Sequence, residues 1–229
     1  MTAPGVGAAG GADRDGEKVG ERRAPVVVTM GVVIVLPFLM PHQVATDLRW
    51  LLAGLESMLL IAMLAMDPGR IDRRSKAVRA VRRSLIGVLA VGSGFATLRL
   101  VDVIVTGSAG ANSAGDLLRA GGLVWLYVVI AFSFAYWELD CGGPGERAHA
   151  PRAHPDLMFP QHANPELAPD GWRPVFLDYL YVGVNSSLAF SPTDTMPLTH
   201  WAKAAMAIQS VASVVILGLV IARAVNILA

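Results

Sequence analysis

Five long apolar runs constrain the fold of this 229-residue chain more than any other feature. They cover residues 26–40, 50–66, 85–105, 121–137 and 202–228. A helix rises about 1.5 Å per residue, so about 20 apolar residues cross a hydrocarbon core about 30 Å thick. The third and fifth runs are long enough unaided, and the other three need flanking residues to complete a crossing. The pattern predicts an all-α integral membrane protein with five transmembrane helices.

The composition supports a membrane protein and gives no indication of a nucleic-acid-binding or disulfide-rich protein. The chain is 54% hydrophobic and only 16% charged, a balance that is rare in soluble domains. The net charge of +1 gives no reason to expect a nucleic-acid partner, and the single cysteine, Cys141, cannot form an internal disulfide. The abundance of Ala, Val, Gly and Arg is compatible with a high-GC bacterium. We therefore expect a multi-pass protein of the bacterial plasma (inner) membrane.

The sequence divides into four regions. Residues 1–24 are rich in Gly, Ala and charge and predict a disordered N-terminal tail. Residues 25–140 hold the first four apolar runs, and residues 141–173 form a long loop rich in Pro, Gly and His. Residues 174–229 form a separate C-terminal module. The long loop suggests a functional segment or a cover for that module.

The first apolar run has an alternative interpretation as a signal peptide. Arg22 and Arg23 precede 15 apolar residues, as in a secretory signal. No small-x-small cleavage site follows the run, and the sequence Pro41-His42-Gln43 is a poor substitute. A transmembrane helix is therefore the preferred interpretation.

Basic residues are distributed unevenly between the two sides of the predicted bundle. Fifteen of the 19 Lys and Arg residues fall on the side of the N-terminal tail. The positive-inside rule therefore predicts a cytoplasmic N-terminus. Seven of the fifteen lie between Arg70 and Arg83, where a basic segment beside a membrane attracts anionic lipid. The alternative is that this segment only sets the topology.

The C-terminal module has the order expected of a re-entrant loop. A short aromatic-rich segment, 175–188, leads into a polar turn, Ser191 to Asp194, and then into the last apolar run. Irregular backbone at membrane depth is tolerated only where protein or a water-filled cavity covers its polar groups. We predict a re-entrant, pore-like half-helix over 175–188, in addition to the five spans.

Polar side chains cluster around this turn and are candidates for lining a pore. They are Asn185, Ser187, Ser191, Thr193 and Asp194. If several copies of the chain meet around the turn, its carbonyls, hydroxyls and carboxylate would ring a path for a small ion. This interpretation predicts a homo-oligomer. In the alternative interpretation, Asp194 caps the last helix within a single subunit.

A second candidate site is a group of charges inside the predicted spans. Glu56 lies six residues from the start of the second run, and Arg99 lies six residues before the end of the third. Antiparallel neighbours would bring both side chains to a similar depth, with Asp102 on the same helix face as Arg99. Ionisable groups in spans usually face the bundle interior and pair. The pair is either static or part of a proton or ion pathway.

No motif in the chain indicates an enzyme, a metal site or a cofactor. His149, His154 and His162, together with Cys141, match no zinc-binding spacing. Serine-hydrolase, metalloprotease, Walker and Rossmann signatures are not found. We therefore expect no catalytic residues.

The C-terminal module resembles the pore module of tetrameric potassium-type channels. The filter and the residues after it fall on Ala189, Phe190, Ser191, Pro192, Thr193, Asp194, Pro197 and Thr199. The Asp, Pro and Thr of the family pattern are matched. Both filter glycines are replaced, by Ser191 and Thr193. The resemblance implies an ion-channel-like permeation protein with a non-standard filter.

A longer resemblance, over 26–228, is to a bacterial membrane family, the domain of unknown function 1345. The motifs are Leu157-Met158-Phe159-Pro160, Asp178-Tyr179-Leu180-Tyr181, Thr193-Asp194 and Val225-Asn226. This family implies an integral membrane protein without an established activity. The alternative to a permeation protein is therefore a non-conducting membrane scaffold or accessory subunit. A small transporter is a third interpretation, for which no inverted repeat is found.

The charge distribution and the channel resemblance give opposite entry sides for the half-helix. Potassium channels insert their pore loop from outside, whereas the basic residues here place residues 138–203 on the cytoplasmic side. Either the module is inverted or the positive-inside rule fails in this chain. We expect the inverted orientation.

Overall fold

The computed structural model describes residues 20–44, 46–107, 113–149, 154–188 and 194–228. The helices within these ranges are α1 (Ala24–Leu39), α2 (Leu48–Met66), α3 (Lys76–Thr106), α4 (Ala114–Leu139), α5 (Pro144–His149), α6 (Pro160–Ala163), α7 (Phe176–Leu188) and α8 (His200–Leu228). Strand β1 (Leu157–Met158) pairs antiparallel with β2 (Met196–Pro197).

The structure is mostly helical and contains long apolar helices, which is consistent with the predicted all-α membrane class. In the described residues, four helices are long and apolar enough to cross a membrane: Leu48–Met66, Lys76–Thr106, Ala114–Gly142 and His200–Leu228. The first apolar run forms α1, which has 16 residues, contains Pro37 and is about 24 Å long. Four candidate spans therefore stand where the sequence predicted five.

The long helices run alternately between two ends of a bundle, with α4 in its centre. Gly121 of α4 lies against Val220 of α8, and Tyr136 of α4 meets Gln209, so α4 and α8 are antiparallel. Large α4 side chains such as Phe134 are completely buried, whereas the outer faces of other helices expose apolar groups. Leu98 on α3, for example, is 71% exposed. An apolar outer surface of this extent suits a lipid environment.

Local sequence signals explain where the central helices begin and end. The Ser75 hydroxyl accepts from the Ala77 amide at 3.2 Å and caps the start of α3. Gly107 follows α3 with φ of 65°, a left-handed conformation that glycine adopts without steric cost. The Ser113 hydroxyl accepts from the Asp116 amide at 3.4 Å and begins α4.

Most non-helical structure gathers at one end of the bundle, which we call the basic end. It contains residues 20–23, the connection 67–75 between α2 and α3, and the segments 140–149 and 154–173 that follow α4. These last segments were predicted as a loop. They fold into α5, α6 and β1, with 3-10 turns after α4 and α6. The opposite end carries short connections.

Helix α7 lies beside the part of α4 nearest the basic end. The Phe176 ring packs on Phe134 and Trp137, with centroids 4.7 and 5.7 Å apart. Gly183 lies against Val129, deeper in the bundle. After α7 the chain rejoins the basic end, where β2 pairs with β1.

Candidate functional site

The structure describes three of the five side chains predicted to line a pore. Ser187 is buried on α7, Asn185 is half-buried on the same helix, and Asp194 is exposed before β2. Ser191 and Thr193 lie outside the described residues. The part of the predicted site that can be analysed is therefore the C-terminal half of α7 and its neighbours.

A buried glutamine on α8 binds the C-terminal half of α7. Gln209 is fully buried, and its Nε2 donates to the Gly183 carbonyl at 2.7 Å and to Ser187 Oγ at 2.8 Å. Its Oε1 accepts from the Tyr136 hydroxyl of α4 at 2.6 Å. One amide thus joins three helices, and the predicted pore residue Ser187 is engaged inside its own chain.

A second polar contact satisfies a carbonyl in the last turn of α7. The Ser210 hydroxyl donates to the Ser186 carbonyl at 2.8 Å. Carbonyls at a helix end have no intrahelical partner, and leaving them unpaired in an apolar interior is costly. Helix α8 therefore supplies the partners that water would supply at a protein surface.

Glycine at position 183 is required for the close approach of α7 to α4. A Cβ at this position would lie 2.1 Å from Ser133 Oγ and 3.0 Å from the Val129 carbonyl oxygen. Ser133 turns its own hydroxyl onto Val129, donating at 2.7 Å. The backbone of α7 at Gly183 therefore packs directly against the Ser133 side chain of α4.

The Ser213 hydroxyl beside this network has no hydrogen-bond partner among the described residues. Ser213 is fully buried one turn after Gln209 on α8. Buried polar atoms nearly always have a partner, and an exception calls for a water, an ion or a functional reason.

The predicted pairing of Glu56 with Arg99 is wrong. Glu56 is fully buried near the middle of α2, and its Oε1 accepts from the Tyr127 hydroxyl of α4 at 2.7 Å. Its Oε2 has no hydrogen-bond partner within the described chain. The carboxyl group therefore faces a neutral phenol and not a cation.

Arg99 instead turns toward the end of the bundle opposite the basic end. It pairs with Asp102 at 2.7 Å, on the helix face where the sequence placed both residues. It also donates to the Gln43 carbonyl between α1 and α2 at 3.2 Å. Both partners are well exposed, because the long arginine side chain reaches the polar boundary while Glu56 stays at mid-helix.

A buried ion-paired cluster at the basic end was not predicted. Arg82, from the basic segment, is 3% exposed and lies 2.7 Å from Glu138 and 3.7 Å from Asp67. Burial raises the pKa of Asp67, and the Arg82 guanidinium opposes that shift. Removing one charge from such a group leaves the others buried without compensation.

Other arginines of the basic end bind the C-terminal end of α2. Arg23 donates to the carbonyls of Leu64, at 2.6 Å, and of Asp67. Arg73 donates to the Met66 carbonyl at 2.8 Å. Cations at this position complement the negative end of the helix dipole and its unpaired carbonyls.

Asp140 organises the chain where α4 ends. Its Oδ2 accepts from the Tyr179 hydroxyl of α7 at 2.5 Å. Its Oδ1 accepts from the amides of Asp156 and Leu157 at 3.0 and 3.2 Å. This buried carboxylate ties α4 and α7 to the segment that leads into β1.

The carboxyl group of Asp140 also lies close to Cys141 and Asp156, a grouping that resembles a metal site. Asp156 uses both of its oxygens for protein donors, the Cys141 amide at 2.8 Å and the Trp201 indole at 3.2 Å. Since the Asp140 oxygens are occupied as well, the cluster fits a structural role better than cation binding. Two of the histidines lie apart from it, His149 against Asp72 and His162 against Phe159.

Glu21 and Arg147 form the inner wall of the basic end. Glu21 accepts from the Trp137 indole at 2.6 Å and from the Phe176 amide, the first of α7, at 2.7 Å. Burial raises the pKa of Glu21, while Arg147, 3.9 Å away, opposes the shift. Arg147 donates to the carbonyls of Trp137 and Asp140 at 2.7 and 2.8 Å.

A cleft of about 720 Å³ opens beside this wall at the N-terminus of α7. Four arginines line it: Arg22, Arg70, Arg147 and Arg173. Glu21 is the acidic residue in its lining, and both Glu21 oxygens are already bound. The cleft is thus a concave surface of strong positive charge.

Comparison of the chain with models of known protein families, with curated proteins and with solved structures found no match. The resemblances to the channel pore module and to the family of unknown function stay predictions.

Proposed function

We propose that this chain is an ion-permeation protein of the membrane, with five crossings and with α7 as a re-entrant half-helix. The observation that carries the proposal is the position of α7. It has 13 residues, about 20 Å, and runs inward from the level of Trp137 to that of Val129. The chain is again beside β1 by Met196. The residues before and after α7 thus both lie at the basic end of the bundle, which supports entry of the half-helix from that end.

The fifth crossing in this proposal is α1. Its first turn lies near Leu64, the end of α2 at the basic end, through the Arg23 contact. Its last residues lead to Gln43, which contacts Arg99 at the other end. A 16-residue helix of about 24 Å crosses a bilayer if the flanking residues and slight local thinning make up the difference.

The route for ions would follow the polar surface between α7 and α8. Ser187, Gln209 and the unpartnered Ser213 hydroxyl form a polar strip inside an otherwise apolar bundle, the kind of feature that marks an ion pathway in membranes. Asp194 lies where the chain has left the half-helix and would attract cations. A single half-helix cannot enclose a pore, so this function requires a homo-oligomer.

A second candidate function is a non-conducting membrane scaffold or accessory subunit. It is favoured by the same network, because Gln209 and Ser210 occupy the Gly183 and Ser186 carbonyls within one chain. Carbonyls that are bound in this way are not free to replace the hydration shell of an ion.

Ion flux through the purified protein in liposomes separates the two functions. We expect cation flux for the wild type, a several-fold decrease for Asp194→Asn and no change for Asp170→Asn, an exposed aspartate of the same end. Absence of flux for every small ion, with the oligomer intact, would exclude permeation and leave the scaffold.

A further inference from the structure

We propose that the arginine-lined cleft at the basic end is a binding site for a phosphate-bearing anion, presented by the headgroup of an anionic phospholipid. The proposal concerns Arg22, Arg70, Arg147 and Arg173 around the start of α7. It is independent of ion permeation, because these residues lie outside the α7–α8 polar strip.

Two of the arginines are held in place by backbone carbonyls, and their other donors form no hydrogen bond among the described residues. Arg70 Nε donates to the Gly20 carbonyl at 2.6 Å, and Arg173 Nη1 donates to the Ala148 carbonyl at 2.6 Å. Neither forms an ion pair with a carboxylate in the described ranges, and the same holds for Arg22. Guanidinium groups fixed in this way are preorganised for phosphate oxygens, which they bind in bidentate geometry.

Arg147 provides a second, independent indication of a ligand. It is only 5% exposed, and its Nε and Nη2 atoms have no hydrogen-bond partner among the described residues. The Arg147 guanidinium lies 4.7 Å from the centroid of the Tyr179 ring. Its nearest anion, Glu21, is 3.9 Å away and already accepts from Trp137 and Phe176. A buried cation with unused donors in a cavity wall is expensive unless an anion meets it.

The apolar part of the cleft fits a lipid. Pro25 at the start of α1 and Trp172, Val175 and Leu177 around the start of α7 also line the cleft, and Leu177 is 54% exposed. Because α1 and α7 both enter the apolar bundle from this point, acyl chains can lie against them while the headgroup meets the arginines. A cavity of about 720 Å³ accommodates a headgroup of this class.

The cleft is also distinct from the exposed basic face of α3. Lys76 and Arg83 lie on that face, are exposed and do not line the cleft. General attraction of a polybasic surface for anionic lipid depends on charge number and not on position. Comparing the two sets of residues therefore separates a built site from diffuse attraction.

Titration of short-chain phosphatidic acid into the detergent-solubilised full-length protein, followed by calorimetry, tests the proposal. We expect saturable binding to one site and about tenfold or greater weakening in Arg22→Gln/Arg173→Gln, because two charged hydrogen-bond donors are lost. The charge-matched control, Lys76→Gln/Arg83→Gln, should change the affinity less than about twofold, because salt screens charges that lie outside the cleft. Thermal unfolding of each variant without lipid establishes that it is folded.

Parallel titrations with inorganic phosphate and with short-chain phosphatidylcholine show whether the cleft binds a lipid headgroup or free phosphate. Competition by millimolar phosphate, together with much weaker binding of phosphatidylcholine, supports an anionic headgroup in the cleft. Binding of phosphate without binding of phosphatidic acid would overturn the lipid assignment. Equal weakening in both double variants, or no saturable binding of either probe, would overturn the site. Arg22→Gln alone, at an exposed side chain, keeps the test valid if the double variant unfolds.

Discussion

Among the described residues, the basic end of the bundle buries two arginine side chains, whereas the arginines of the other end are at least partly exposed. At the basic end, Arg82 and Arg147 are at most 5% exposed and lie against buried carboxylates or helix-end carbonyls. At the other end, Arg99 is more than a third exposed beside Asp102, and Arg49 lies over the rings of Phe38 and Trp50. The positive-inside rule counts both kinds of charge alike, but only the first kind is built into the fold.

The largest expected difference between the ends is in stability. Arg82→Met leaves Glu138 and Asp67 buried without their cation and should lower the free energy of unfolding by about 3–5 kcal/mol. Arg99→Met removes an exposed pair and should cost less than about 1 kcal/mol. Reversible unfolding in mixed micelles measures both values. Similar losses of unfolding free energy in the two variants would show that buried and exposed charges contribute equally to stability, against this account.

The next effect concerns the docking of α7 at the basic end. Gly183→Val places side-chain atoms where Ser133 Oγ already lies, so we expect a loss of about 3 kcal/mol as α7 is displaced from α4. Gly218→Val on α8 is the matched control and should be nearly neutral, because beyond its chain neighbours and the backbone of its own helix no described atom lies within 4 Å of the position that its Cβ would take. A Gly183 variant as stable as its control would show that α7 does not pack closely on α4.

A smaller effect is expected at mid-bundle, between the two ends. Tyr127→Phe removes the donor to Glu56 and leaves both carboxyl oxygens without a hydrogen-bond partner among the described residues, which should cost about 1.5 kcal/mol. Tyr181→Phe, at an exposed tyrosine of α7, is the control and should change stability little. If both substitutions are neutral in thermal unfolding, the Glu56–Tyr127 hydrogen bond does not stabilise the bundle.

The smallest effect is a dependence of stability on pH that arises from the basic end. Burial raises the folded-state pKa of Glu21 above its ordinary value of 4.5, so the folded protein binds the proton more tightly than the unfolded chain. Stability contributed by this group is therefore greatest below the ordinary pKa and decreases as pH rises through the raised folded pKa.

Glu21→Gln should remove this part of the pH dependence, whereas Glu166→Gln, at an exposed glutamate of the same end, should leave it unchanged. The slope of unfolding free energy against pH, from about 4.5 to 7, checks the expectation. A steeper fall in stability for the Glu21→Gln variant than for the wild type would contradict the assigned direction.

Local features of the fold were predictable from the sequence. A helix was expected over 175–188 and is observed at Phe176–Leu188, where Asp178 accepts from the Val175 amide at 2.7 Å in the first turn. Its re-entrant course stays a prediction. The apolar runs all became helices, although polar residues extend several of them. In α4, for example, the run 121–137 lies within Ala114–Leu139.

Pairings between distant residues were not predictable. The Glu56–Arg99 pair was inferred only from the similar membrane depth of the two residues. The direction of the arginine side chain decides its partner, which is Asp102, one helical turn away. The contact between Glu21 and Trp137 joins residues 116 positions apart. One signal was present in the sequence: Glu138 and Asp140 follow an apolar run at a helix C-terminus, where the dipole disfavours carboxylates and a cation is needed.

The most direct test of this account is the side of the membrane on which the flanks of α7 lie. Single cysteines at Asp170 and Met196, both exposed and on either side of α7, are placed in a Cys141→Ser background and treated with a membrane-impermeant maleimide. A cysteine at Gln43, at the opposite end, is the control. A re-entrant α7 at a cytoplasmic basic end predicts that positions 170 and 196 react only after permeabilisation, and position 43 in intact cells. Reaction of positions 170 and 196 from opposite sides would show that α7 crosses the membrane and would contradict the account.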